Sequence, residues 1–298
     1  MSDKSKEHYI SLVSRRSARH IVRGIDYHVS EWGDSSNRLL VMLHGWGDAG
    51  STFQFVVDQL KDDWHVIAPD WRGFGASIGR AESYWFPDYL ADLDTLLAIY
   101  TPDEPATLLG HSMGGNVAGL YAGVFPDRVA KFINVEGFGL ADRDSEDAPG
   151  NYRRWIEKGR QGADYRSYAS FDEFAQRIQR QNPRMRADRA QFVASQWASE
   201  DDDGLIRIKA DPAHKLPNPV LYRRSEAEAC WRQTKAPALL VVGAESQFRP
   251  DVLSWLAPDG VSLPFVSAEI ATIEGAGHMV HFDQPEALAA AVEGFLQK

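Results

Sequence analysis

Hydrophobic positions along this chain fall in short continuous runs rather than in strict alternation. "RLLVMLHG" (38–45), "WHVIAPD" (64–70), "ATLLGHS" (106–112), "AKFINVEG" (130–137), "ALLVVGAE" (238–245) and "AEIATIEGAGH" (268–278) each read as a strand ending in a loop. Runs of this kind suit strands buried on both faces, as in a parallel sheet. The stretches between them change period. In "FPDYLADLDTLLAIY" (86–100), Leu90, Leu93, Leu97 and Tyr100 recur at three- and four-residue steps and mark one face of a helix. "STFQFVVDQLKDD" (51–63) predicts another helix, and "QPEALAAAVEGFLQ" (284–297) a closing one with Pro285 in its first turn. Strand–helix alternation predicts a doubly wound α/β fold. Its ligand crevice is expected beyond the carboxyl ends of the strands.

The alternation stops between about Phe138 and Lys235, where helical patterns such as "NYRRWIEKGR" and "FDEFAQRIQRQ" take over. The expected organisation is therefore a core of residues 1–137 and 236–298 with a helical cap, or lid, of 138–235 over the sheet's carboxyl edge. The insertion carries 18 Lys+Arg against 16 Asp+Glu, and the rest of the chain 14 against 26. Relative positivity could favour anionic substrates, but arginine-rich helices more often present solvated faces.

Over all 298 residues the net charge is −10. With no lysine/arginine block, nucleic acid and anionic membrane are poor partners. No run of about 18 apolar residues occurs, so no membrane insertion is expected. The polar N-terminus lacks the apolar centre of a secretory signal, and the lone Cys230 forms no internal disulfide. A cytoplasmic protein is expected. Homo-oligomerisation is left open.

Candidate chemistry centres on Gly110-His111-Ser112-Met113-Gly114, a G-x-S-x-G sequence after a strand and before a helix-compatible stretch. A nucleophile on a sharp strand-to-helix turn needs small neighbours, because strand and helix approach closely. A serine hydroxyl needs a base. Of the nine histidines, His278 in "EGAGHMVHFDQPE" lies in a glycine-bearing loop past the last strand, able to reach the sheet's carboxyl edge. His281 is expected to pack or cap. "LHGWGD" (43–48) follows the first strongly apolar strand, and its Trp46 N–H with that of Met113 is expected to form an oxyanion hole. No metal site is expected, with neither H-E-x-x-H nor a clustered His/Cys set, and "RGFGASIG" lacks the spacing of a nucleotide loop.

"HGWGD", "PDWRGFGAS", "GHSMGGN" and "GAGHMVHFDQPE", in this order, resemble the α/β-hydrolase superfamily, and most closely its serine-hydrolase-like esterases. The resemblance implies an eight-stranded, mostly parallel sheet, a Ser–acid–His triad and no required cofactor. It makes Asp70 structural. The chain departs from the family pattern at the acid. Three residues beyond Gly243 stands Ser246, which cannot serve, and Glu245 is one residue short. The other location known for the acid is the end of the preceding strand, where this chain has Glu136. A carboxylate closing an apolar strand is costly unless paired. Glu136 is therefore preferred over Glu245, and a structural pairing of Glu136 stays open.

These residues predict a serine hydrolase of carboxylic esters or related acyl bonds, acting through Ser112, His278 and Glu136 on a small, apolar or aromatic molecule. Trp46, Trp85 and Phe138 are the expected substrate contacts. A carbon–carbon hydrolase, lactonase or thioesterase would use the same residues, and a non-catalytic ligand receptor is a further alternative.

Overall fold

The computed structural model describes residues 8–79, 81, 84–250, 265 and 267–298. Its strands in chain order are β1 (Arg16–Val22), β2 (Ile25–Trp32), β3 (Arg38–Leu43), β4 (Trp64–Pro69), β5 (Ala106–His111), β6 (Val129–Val135), β7 (Ala198–Glu200), β8 (Ile206–Ile208), β9 (Ala238–Gly243) and β10 (Ala268–Ile273). Eight of them form one sheet in the order β1-β2-β4-β3-β5-β6-β9-β10, and β7 and β8 pair separately. From β4 to β10 the neighbours are parallel, whereas β2 joins β4 antiparallel. The six apolar runs are the six strands from β3 to β10 of this parallel part. β4 and β9 are buried along their whole length.

β1 and β2, which no apolar run announced, form an antiparallel hairpin at the sheet edge. Arg23 and Gly24 turn it with φ of 47° and 81°, the pair of positive values that a tight two-residue hairpin requires. β1 is half exposed, so its hydrophobic signal is diluted.

Helices α1 (Gln54–Val57), α2 (Phe86–Tyr100) and α3 (Met113–Val124) flank the sheet, and the helix Pro285–Leu296 closes the chain with Pro285 in its first turn. The predicted helix over 51–63 contracts to a 3₁₀ turn and the four residues of α1. There Gln54 and Asp58 turn inward to meet Trp32 and the backbone of Leu12 and Val13. One sheet face packs against α2 and α3 through Leu93, Leu97, Val117 and Tyr121. The other packs against α1 and the closing helix through Val56, Leu288 and Val292.

Between β6 and β9 the chain leaves the main sheet and builds α4 (Ala148–Gln161), α5 (Phe171–Gln181), α6 (Ala187–Trp197) and α7 (Arg224–Trp231). α5 and α6 share a third apolar cluster with Phe55 and Phe282, which ties the inserted segment to the sheet-bearing part. No helix among the described residues is long and apolar enough to cross a membrane.

A buried ion pair fixes the loop after β4. The carboxylate of Asp92, on α2 and fully buried, accepts two hydrogen bonds from Arg72 at 2.5 and 2.6 Å and a third from the Tyr27 hydroxyl at 2.5 Å. Asp70 holds the same loop by accepting from the backbone N–H of Gly50 and Ala76, the structural role that the resemblance implied. Removing one partner of a buried pair leaves the other uncompensated, at a cost of about 3–5 kcal/mol. Asp92→Asn is expected to destabilise the protein by about that amount in urea unfolding. A loss below about 1 kcal/mol would show the pair to be dispensable.

Candidate active site

Ser112 stands between β5 and α3 with φ 51° and ψ −115°. Glu136 stands one residue past the neighbouring β6 with φ 61°. Among the described residues, the only other non-glycine with positive φ is Arg23 in the hairpin turn. Such backbone costs on the order of 1–3 kcal/mol and persists where the surroundings enforce it. Here they do. Ser112 N–H donates to Val135 O at 2.8 Å, and Glu136 N–H to Val241 O at 3.0 Å, so each residue is stitched to the next strand of the sheet.

The small residues around Ser112 are required by contact. A Cβ on Gly114 would lie 2.1 Å from Leu43 O, and one on Gly110 would lie 2.4 Å from Gly114 O. Gly45 abuts Ser112 directly, with a virtual Cβ 3.1 Å from the serine Cβ. The loop that carries Trp46 therefore folds against the serine. Trp46 is 54% exposed, and Met113 is the first residue of α3, where backbone N–H groups lack intrahelical acceptors and carry the positive end of the dipole.

His278 follows β10 and brings its ring between the two strained residues. Nε2 lies 3.0 Å from Ser112 Oγ, and Nδ1 lies 3.1 Å from Glu136 Oε2. With the imidazole neutral, Nδ1–H donates to the carboxylate and Nε2 accepts from the hydroxyl. The Glu136 side chain has no exposed surface, while that of His278 is 34% exposed. Two further donors reach the carboxylate: the Gly243 N–H to Oε1 at 2.8 Å and the Ser246 hydroxyl to Oε2 at 2.5 Å. Glu245, the alternative acid, points elsewhere. Its side chain is 52% exposed and bound to Arg184.

Behind this group lies a cluster that the sequence did not reveal. Asp48, His111 and His281 are buried, with one possible ligand atom from each within 4.8 Å of the others. They read as scaffolding. Asp48 Oδ1 already accepts from Ala49 N–H, the Thr52 hydroxyl and Trp197 Nε1, and Oδ2 from His281 Nε2. His111 Nε2 donates to the carbonyl of His278 at 2.9 Å, which anchors the loop bearing that ring. Burial, then the nearby His281 and His278, holds the imidazole of His111 well below the ordinary histidine range. It stays neutral, as a donor to a carbonyl and a neighbour of two other imidazoles should.

Ser112 opens into a cavity of about 310 Å³. Trp46 and Trp85 line it together with Tyr84, Phe86, Tyr89 and Leu140. Phe138 does not. It is 4% exposed and belongs to the core, a correction to its expected place at the substrate. The reason is the turn after β6. Gly137 N–H and Gly139 N–H are drawn onto Asn134 and Asn116, which leads the chain inward toward α7.

The inserted segment supplies Ala213, His214, Leu216, Pro217 and Asn218 to the wall. No local pattern in the sequence singled these out. No formally charged side chain is among the described lining residues. Three arginines of the insertion pair instead with carboxylates: Arg166 with Glu173, Arg189 with Glu286 and Arg224 with Glu228.

The pattern of the alpha/beta hydrolase fold family matches residues 38–285. The chain belongs to that family. Among its relatives are the serine hydrolase-like protein of Danio rerio, 26% identical over 98% of this chain and 93% of that protein, and serine hydrolase-like protein 2 of Homo sapiens, 23% identical over 89% of each. Solved α/β-hydrolase structures superpose closely. A thioesterase domain from the curacin biosynthetic pathway gives a TM-score of 0.83 at 21% identity, covering 94% of this chain and 99% of that one. An esterase from Mycobacterium tuberculosis gives 0.73 at 21% identity, covering 96% and 92%. At these identities the superpositions establish the fold.

In this α/β hydrolase, His214 forms part of the cavity wall by stacking between Phe74 and Tyr84, with ring centroids 3.7 and 3.6 Å away. Its Nε2 donates to Arg72 O at 3.1 Å. Burial pushes this histidine down to about 4. A folded-state value below the unfolded value of about 6.5 means that the native state prefers the neutral ring. The resulting stability is present above about pH 6.5 and is lost as pH falls toward about 4. His214→Phe keeps the stack and removes the proton site. Its unfolding free energy, measured in urea between pH 6.5 and 4.5, is expected to fall less steeply than wild type, by up to about 1.4 kcal/mol per pH unit. Equal slopes would show that the ring is not held neutral.

Proposed function

We propose that this chain is a serine hydrolase that cleaves an uncharged carboxylic ester or related acyl bond through an acyl-enzyme. The observation that carries the reading is the continuous hydrogen-bond chain Ser112–His278–Glu136 at the cavity floor. In this reading Ser112 Oγ attacks the acyl carbon while its proton passes to His278 Nε2. Nδ1–H stays on the imidazole, and the ionised Glu136 stabilises the imidazolium without taking the proton. The oxyanion is received by the N–H groups of Trp46 and Met113. A donor of this kind is worth about 2.7–4 kcal/mol of barrier. His278 then protonates the leaving alcohol, and in the second half-reaction it deprotonates the water that attacks the acyl carbon.

The cavity supports an aromatic or apolar acyl or alcohol portion. Its wall is rich in Trp, Tyr, Phe and Leu, and its polar groups are neutral. A carboxylate brought into it would be desolvated without a partner. A thioester, lactone or activated carbon–carbon bond presents the same electrophile to the same nucleophile, and the leaving group decides among them.

A fluorophosphonate probe is expected to add one mass increment to the wild type and none to Ser112→Ala. A folded wild type that takes up no label would indicate a ligand receptor rather than an enzyme. Glu136→Gln is expected to lower kcat by about three to four orders of magnitude. Glu245→Gln is expected to stay within about twofold of wild type, since an exposed ion pair has little influence on the ring. The reverse ranking would move the acid to Glu245. Across p-nitrophenyl esters, a neutral acyl chain is expected to exceed its terminal-carboxylate analogue at least tenfold in kcat/KM, about 1.4 kcal/mol. Equal rates would remove the argument for an uncharged substrate.

A further inference from the structure

Ser246 lies three residues beyond Gly243, in the turn closed by its own N–H onto Gly243 O at 3.0 Å. It is 7% exposed and faces the buried carboxylate rather than the cavity. Its hydroxyl donates to Glu136 Oε2 at 2.5 Å, the same oxygen that receives His278 Nδ1 at 3.1 Å. The hydroxyl oxygen in turn accepts from Phe248 N–H at 3.2 Å, which orients the hydroxyl.

We propose that Ser246 is a positioning residue for the reaction, fixing Glu136 Oε2 at the one place where it can hold Nδ1 of His278. The inference rests on the reading of Glu136 as the acid.

The physical need for such a residue comes from Glu136 itself. A glutamate side chain has three rotatable bonds, and ordering it costs rotamer freedom. This one begins on a left-handed backbone at the end of β6 and must span the end of β9 to reach the histidine loop. The Gly243 N–H fixes Oε1 alone, which leaves the carboxylate free to pivot about that contact. The Ser246 hydroxyl fixes the second oxygen. Two donors on two oxygens set both the position and the plane of the group. Ser246 is thus a short donor that supports an acid arriving from the neighbouring strand.

The test is a double-mutant cycle on ester turnover. Ser246→Ala is expected to lower kcat about tenfold with KM within twofold, because the loss falls on the imidazole and not on the substrate. Ser246→Cys keeps the shape with a weak donor and is expected to lose kcat nearly as much, which covers the case in which the alanine variant does not fold. In a Glu136→Gln background, Ser246→Ala is expected to cause no further loss, since its effect passes through that carboxylate. The inference is overturned if both single variants retain wild-type kcat, if KM rises in step with the loss, or if the same tenfold loss recurs in the glutamine background. Near-wild-type activity of Glu136→Gln alone would sink the acid assignment instead, a result distinct from any of these.

Discussion

A carboxylate with no exposed surface sits at the end of an apolar strand, and the arrangement of the site follows from how that charge is held. Glu136 has left water at a cost of several kcal/mol, and the compensation comes from a backbone N–H, a hydroxyl and an imidazole N–H. The donors come from the turn after β9 and from the loop after β10, at the carboxyl edge of the sheet. Gly243 ends β9, Ser246 lies in the loop beyond it, and His278 follows β10. The charge is tolerated only if those turns converge, and their convergence places the histidine ring beside Ser112. The buried charge thus acts as a register mark for three loops.

The same edge shows why small residues cluster there. Gly110 and Gly114 are set where backbone meets backbone, and Gly45 where its loop meets the side chains of His111 and Ser112. Gly115 and Gly137 face each other with equal tightness, the virtual Cβ of Gly137 being 2.7 Å from Gly115 Cα. Close approach lets β5 and β6 end side by side with their last residues in strained conformations. Packing density, rather than any single bond, enforces that strain.

The strands of the parallel part were legible because burial on both faces writes a continuous apolar run into the chain. The β1–β2 hairpin was not, since its outer strand is half exposed and its turn residues, Arg23 and Gly24, are an unremarkable pair. Ser112 and His278 were legible as neighbours because glycine-bearing turns announce themselves locally. Glu136 was argued from the family's other location for the acid and from cost, as a charge in an apolar run with no partner within its own segment. What stayed hidden is tertiary. The pairing of Asp48 with His281 joins residues 233 positions apart. The place of His214 in the cavity wall depends on how the inserted segment folds back, and no period in the sequence encodes that. Phe138 was misplaced for the same reason, because two asparagine side chains redirect the chain immediately after β6.

Charge distribution gives the last constraint. The inserted segment is the less acidic part of a strongly acidic chain, and its Arg166, Arg184, Arg189 and Arg224 each meet a carboxylate. The exposed pairs among them, such as Arg166 with Glu173, add little stability, typically under about 1 kcal/mol each. None of these cations is among the described residues that line the cavity. Its wall is left to aromatic rings, aliphatic side chains such as Leu140 and Leu216, two asparagines and a histidine kept neutral by burial. In such a low-dielectric setting the strongest fields come from Glu136 below the serine and from the N-terminus of α3 beside it. In the proposed reaction both act on the positions where charge develops, the imidazole and the carbonyl oxygen, and neither requires a charge on the substrate. The proposed preference for an uncharged molecule and the proposed chemistry thus have one origin, the confinement of ionised groups to the floor of the site.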